Sequence, residues 1–124
     1  MAQLNALIID DENDIRFLMQ ILLKSLNFQP LSSGLISQGI ELVKSFDFSV
    51  VFMDIHLPDG SGLDAIEKIK KASIGNPVII MISANDGAAE RKTAKQRGAN
   101  FFIGKPLTKE KIIAALVATN LLKR

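Results

Sequence analysis

The chain has 124 residues, 48% of them hydrophobic and 23% charged, which suits one domain with one core and excludes disordered, collagen-like and low-complexity classes. It has no cysteine and a single histidine, His56, so disulfide scaffolds, thiolate zinc sites, thiol nucleophiles and multi-histidine metal centres are excluded. Fifteen basic and thirteen acidic groups leave a net charge of +2, too little to argue for direct nucleic-acid binding. The longest apolar runs fall far short of the ~20 residues that span a bilayer, so no membrane segment is expected. No basic-then-apolar leader opens the chain, and a cytoplasmic location is the resulting expectation.

The elements follow in chain order. Ala6–Ile9 is a continuous apolar run, the pattern of a strand buried on both faces. Ile15, Leu18, Met19, Leu22, Leu23 and Leu26 recur at the spacing of an amphipathic helix. Phe28–Leu31 is a second strand; Pro30 removes a ladder donor and places it at a sheet edge. Ile36, Ile40 and Val43 form a second helical stripe, Val50–Met53 a third strand, and Leu63, Ile66 and Ile69 a third stripe. Val78–Ile82 is the fourth strand. Residues 86–97 form a helix whose best apolar groups are Ala88, Ala89 and Ala94, hence a lightly anchored and movable one. Phe101–Ile103 is the last strand, and Ile112, Ile113, Leu116 and Leu121 mark the last helix, with Thr108 as its N-cap.

Five β-α units in alternation imply a parallel sheet covered on both faces by right-handed crossovers. Residues 1–124 thus form a single α/β domain, with its active end at the carboxyl ends of the strands. The first strand runs into Asp10 and Asp11, the third into Asp54, the fourth into Ser83 and the fifth into Lys105. An acidic pair at a helix entry also suits capping, and that reading stands beside a functional one for Asp10 and Asp11. Asp54 follows four buried residues, and a desolvated carboxylate needs a cationic partner.

Two carboxylates 5 Å apart repel by about 3 kcal/mol at an effective dielectric of about 20. Three such pairs reach about 10 kcal/mol, comparable to a domain's whole stability. One lysine cannot offset that, whereas a divalent cation can. An all-oxygen donor set selects a hard ion, Mg²⁺ first and Mn²⁺ or Ca²⁺ after it. A hydroxyl and an ammonium beside such an ion suit phosphate oxygens, and a carboxylate there can act as a nucleophile.

Asp10-Asp11 after a buried strand, the segment Met53-Asp54-Ile55-His56-Leu57-Pro58-Asp59-Gly60-Ser61-Gly62, the pair Ser83-Ala84 and the triplet Gly104-Lys105-Pro106 resemble, in order and spacing, the receiver domains of two-component response regulators. The resemblance covers essentially the whole chain and implies a flavodoxin-like (βα)5 fold of strand order 2-1-3-4-5. It further implies that Asp54 accepts a phosphoryl group from a histidine kinase or phosphotransfer protein. Asp11 would bind Mg²⁺ directly, Asp10 through water, and His56 through its backbone carbonyl. Ser83, Ala84 and Lys105 would hold the phosphoryl oxygens, and the Lys105–Pro106 bond would be cis. Ser83 and Phe102 would form the switch, although phenylalanine has no hydroxyl to bond when it turns inward, and a plain core role competes for Phe102. Gly104 is unusual before the lysine and would loosen the loop that carries it.

The side chains of His56 and Asn85 would tune the lifetime of the phosphoryl group, with a role-free loop histidine as the competing reading for His56. The domain would not be an enzyme beyond its own phosphorylation and dephosphorylation. Its output would pass through the face built by residues 83–124 to an unidentified downstream protein or output domain, with homodimerisation through the last two helices as an option. Residues 1–62 carry three basic and eight acidic groups and residues 63–124 twelve and five. Arg91, Lys92, Lys95, Arg97, Lys109 and Lys111 either meet an acidic partner on that face or solvate their helices. Competing functions are a phosphorylation-independent interaction domain of receiver shape and, with less in its favour, a magnesium-dependent phosphohydrolase. A flavin site would need phosphate-cradling loops where the chain has Asp-Asp-Glu.

Overall fold

The structure is a computed structural model that describes residues 3–123. Five strands, β1 (Leu4–Ile9), β2 (Phe28–Ser33), β3 (Val50–Asp54), β6 (Val78–Ser83) and β7 (Phe101–Gly104), form one parallel sheet of order β2-β1-β3-β6-β7. Counted along the main sheet alone, this is the 2-1-3-4-5 order of the flavodoxin-like fold, and Pro30 lies on the edge strand, opposite Ala6. Helices α1 (Asn13–Ser25), α2 (Ile36–Ser45), α3 (Gly62–Ala72), α4 (Ala88–Gln96) and α5 (Lys109–Ala118) alternate with these strands.

Period-2 alternation sorts the strand residues into two cores. Ala6, Ile8, Val50, Phe52, Ile80, Ile82 and Ile103 pack with Met19 and Leu23 of α1 and Ile112 and Leu116 of α5. Leu7, Ile9, Val51, Met53, Ile79 and Met81 pack with Val43 of α2, Ile66 and Ile69 of α3 and Ala94 of α4. The result is three layers with the sheet in the middle, both of its faces dry.

Several elements differ from the sequence expectation. The main-sheet strands run longer than their apolar runs, because ladder pairing continues past the last buried aliphatic residue; Asp54, Ser83 and Gly104 are thereby held in the sheet. Leu18 is exposed and, with Phe17 and Ile21, forms an apolar outer strip on α1. The turn of α1 puts Met19 and Leu23 inward instead. Leu121 lies beyond α5. Asn120 adopts φ 64° and closes the helix, with Asn120 N–H donating to Val117 O and Leu121 N–H to Leu116 O, a Schellman ending. Thr108 accepts from Lys111 N at 3.2 Å as the N-cap. A short hairpin absent from the expectation, β4 (His56–Leu57) with β5 (Gly60–Ser61), follows the third main-sheet strand.

Helix α4 is lightly anchored, as its composition implies: Ala94 is its buried residue among those described. Of the six basic residues of the 83–124 half singled out above, three are engaged locally. Arg97 pairs with Asp64 of α3 at 2.7 Å, Arg91 faces Asp86, and Lys111 Nζ donates to Gly104 O and Pro106 O at 2.9 and 3.0 Å. Among the described residues, no helix is long and apolar enough to cross a membrane.

Candidate functional site

The alternation that builds the cores also builds the site. Ile8, Phe52 and Ile103 share the face toward α1 and α5, so two residues further Asp10, Asp54 and Lys105 emerge on the same side at the carboxyl ends of β1, β3 and β7. Asp10 is fully buried and Asp54 5% exposed. Lys105 Nζ lies 3.1 Å from Asp10 Oδ2, 3.2 Å from Asp54 Oδ2 and 3.3 Å from Glu12 Oε1. One ammonium thus faces three carboxylates.

Glu12 is the residue that the sequence reading missed. Glu12 stands beyond the end of β1, at the N-cap of α1, where strand alternation no longer says which side chain turns inward. Asp11 is exposed, and the acidic group whose ligand oxygens lie within 4.8 Å of one another consists of Asp10, Glu12 and Asp54. Asp10 also serves its own turn: Oδ1 accepts from Glu12 N at 2.9 Å, an Asx turn ahead of α1 rather than a helix cap, since the N-cap residue Glu12 makes no side-chain cap bond. Arg16 of α1 donates to Asp10 O at 2.6 Å and fixes the bend after β1.

The other oxygen is the informative one. Asp10 Oδ2 is buried and has no hydrogen bond; its contact with Lys105 is an ion pair at 3.1 Å without hydrogen-bond geometry. Burial pushes the Asp10 carboxyl up, and the Asp54 charge adds to this; the Glu12 N–H and Lys105 pull the other way without prevailing. Burial would lower the Lys105 ammonium, but the carboxylates of Asp10 and Asp54 outweigh it and raise it well above its ordinary value.

These residues fit a hard divalent cation. The donors are all oxygen, and one is a buried oxygen short of partners. Oxygens bound at about 2.1 Å around one small ion lie about 3–4 Å apart, and the three carboxylates reach that spacing with a small inward movement. A further positive charge also offsets the acid excess that Lys105 leaves.

The rim completes the site. Ser83 is fully buried at the end of β6, opposite Gly104 in register. Its Oγ accepts from Asn85 N at 3.1 Å, and Lys105 N donates to Ser83 O at 2.8 Å. Ala84 and Asn85 are exposed on the loop above, and Asn85 Nδ2 donates to Glu90 at 2.8 Å. His56 is exposed, with its N–H 3.4 Å from Asp54 Oδ1. Phe102 is half-buried under the guanidinium of Arg91, and the Lys105–Pro106 peptide is cis.

Two residues hold the loop that follows Asp54. Gly62 N donates to Ile55 O at 2.7 Å, and a Cβ at Gly62 would lie 3.0 Å from the Asp54 carbonyl carbon and 3.1 Å from Ile55 Cα. Only a bare α-carbon fits there. Asp59, at the hairpin tip, accepts from Ile36 N and Ser37 N at 2.9 and 3.0 Å. These bonds supply the cap that Leu35 cannot give α2, and they hold the Asp59 carboxyl below its ordinary value.

A parallel sheet of this order, covered by helices on both faces and with an acid-and-lysine cluster at its carboxyl rim, defines a flavodoxin-like α/β domain. The family model of the response regulator receiver domain matches residues 6–117, and the chain belongs to that family. It is 29% identical over 115 residues to the cell cycle transcriptional regulator CtrA of Caulobacter vibrioides, with 93% of this chain and 49% of that protein covered. The chain spans about half the length of the curated relatives it matches. Among solved structures, the non-phosphorylated receiver domain of HemR from Leptospira biflexa superposes with a TM-score of 0.85 at 26% identity, over 98% of each chain. The receiver domain of a Pseudomonas aeruginosa sensor histidine kinase, with a magnesium ion in its active site cleft, gives 0.81 at 21%, covering 97% of this chain and 98% of that one.

Proposed function

We propose that the chain is, from residue 1 to 124, one receiver domain that works as a phosphorylation-dependent switch, with Asp54 as the phosphoacceptor. The observation that carries this reading is the contact of Lys105 with both Asp54 and Asp10 at a buried, acid-rich strand rim. A carboxylate oxygen of Asp54 attacks phosphorus. The P–N bond of a phosphohistidine, or the P–O bond of an acyl phosphate, breaks as the P–O bond to Asp54 forms, and the leaving group departs with the bond's electron pair. The transition state is loose, so positioning and charge neutralisation supply the rate. Lys105 follows the phosphoryl oxygens, with Ser83 Oγ and the backbone at Ala84 as further donors.

Asp10, Glu12 and Asp54, with Asp11 and the carbonyl of His56, are the groups that would hold Mg²⁺, or Mn²⁺ in its place. The bound ion supplies charge neutralisation on the phosphoryl oxygens. The ion of the Pseudomonas receiver, whose likeness is one of fold, agrees with that choice. His56 and Asn85 flank the acceptor and tune the access of water to it. Ser83 leaves its turn to bond the new phosphoryl group, and the loop, α4 and Phe102 change population. The donor is a histidine kinase or phosphotransfer protein in the cytoplasm, and the face of residues 83–124 carries the change to a downstream protein, an output domain or a second copy.

The test is incubation with acetyl phosphate and Mg²⁺, followed by intact-mass measurement and borohydride trapping. A single labile phosphoryl group on Asp54 is expected, absent in Asp54→Asn and blocked by EDTA. Modification that persists in Asp54→Asn overturns the assignment.

A further inference from the structure

Between the acceptor site and α4 stands a group of side chains that the phosphoryl chemistry does not use. Asp86, three residues past Ser83, lays its carboxylate across the backbone of Gly104. A Cβ at position 104 would lie 2.8 Å from Asp86 Cγ and 3.0 Å from Asp86 Cβ, closer than side chains pack. A side chain at position 104 would have to push the Asp86 carboxylate aside, because the carboxylate occupies the place where it would stand.

Arg91 of α4 grips the same residue. Its Nε donates to Asp86 O at 3.0 Å, and its guanidinium lies 3.6 Å from the Asp86 carboxylate. The guanidinium carbon stands 4.9 Å from the centre of the Phe102 ring, a cation–π distance, and Nη1 points to Phe102 O at 3.5 Å. From the other side, Lys111 holds the carbonyl of Gly104 at 2.9 Å. Cavities of about 240 and 320 Å³ flank the Arg91–Phe102 pair, so both side chains have room to move.

The connections form a circuit. The Ser83 Oγ accepts from Asn85 N–H, which ties the side chain to the 83–85 turn and leaves its O–H free to donate. A shift of Ser83 toward the site would carry residues 84–86 with it and lift Asp86 off Gly104. Arg91 then loses the anchor that keeps it over Phe102.

We propose that Asp86, Arg91 and Gly104 form a latch that holds the 83–87 loop and Phe102 in the resting arrangement, and so sets how readily this receiver responds to phosphorylation. The inference rests on the reading of Asp54 as acceptor and Ser83 as follower, and it makes the three latch members positioning residues. A latch that stabilises one of two states lowers the population of the other by the same factor. Its removal shifts the unmodified protein toward the responsive state.

The experiment is a mutant cycle read by amide NMR of the unmodified full chain and by the rate of acetyl phosphate modification in Mg²⁺. Asp86 is an exposed, flexible side chain, so Gly104→Ala displaces it without disturbing the core. Gly104→Ala and Asp86→Ala are each expected to raise the responsive population about threefold, the factor that an exposed ion pair carries. The Asn85 and Phe102 amides move, and phosphorylation accelerates to match. Arg91→Gln removes the ion pair and the cation–π contact together and is expected to give about tenfold.

The decisive arm is the double variant. With no carboxylate left to expel, Gly104→Ala adds nothing to Asp86→Ala, a non-additivity that general loosening of the loop would not produce. Additive effects, or unmoved Asn85 and Phe102 amides in well-folded single variants, overturn the latch. Absence of any modification in the parent chain defeats the acceptor reading instead, while the amide shifts of the unmodified variants still decide the latch.

Discussion

Lys105→Ala tests the electrostatic account of the site most directly. The ammonium lies 3.1 Å from Asp10 and 3.2 Å from Asp54, both buried, and each pair is worth about 5 kcal/mol of gross Coulomb energy at an effective dielectric of about 20. Desolvation of the three charges consumes much of that sum. What the substitution exposes is the penalty of leaving buried carboxylates facing each other without a counter-charge, about 3–5 kcal/mol. Asp10, already pushed up by burial, escapes part of it by taking a proton, so the lower end, about 3 kcal/mol, is expected. For a domain of this size that corresponds to a fall in Tm of about 10 °C or more.

Thermal denaturation followed by circular dichroism in EDTA and again in excess Mg²⁺ reads both halves of the argument. In EDTA the variant melts well below the parent. In Mg²⁺ the gap narrows, because the divalent ion replaces the lost charge and binds the native state alone. A variant as stable as the parent in EDTA, or a gap that Mg²⁺ leaves unchanged, refutes the reasoning that these acids are held together by opposite charge.

Two further outcomes follow from the loops around Asp54. Gly62→Ala forces a methyl group against the Asp54 carbonyl carbon and Ile55 Cα. Such overpacking costs about 1–3 kcal/mol, and modification of Asp54 by acetyl phosphate slows with it; an unchanged melting curve and rate would show that the loop yields freely. Asp59→Ala removes the cap of α2, and its effect depends on pH. The folded-state pKa of Asp59 lies below the ordinary 3.8, so its contribution is complete above that value and is lost as pH falls through the lower folded value. The Tm difference between Asp59→Ala and the parent is therefore present at neutral pH and shrinks below pH 3.8; a difference that stays constant into acid argues against the carboxylate bonds as its source.

Much of this molecule was legible in the chain itself. Continuous Ile- and Val-rich runs dictate strands buried on both faces, the helical stripes between them dictate crossovers, and Pro30 dictates an edge. These properties are local and periodic. The acids and the lysine that follow the runs must then stand at one rim, because parallel strands all end on the same side. Tertiary structure alone decided what lies past the strand ends, where periodicity lapses and contacts join residues far apart in the chain. It turned Glu12 rather than Asp11 toward Lys105, 93 residues away. It brought Asp59 to the start of α2 across 23 residues, and it laid Asp86 over Gly104. An aspartate capping a distant helix and one seated on a glycine look alike in sequence, since a carboxylate's partner is chosen by the space and charge around it once the sheet has formed.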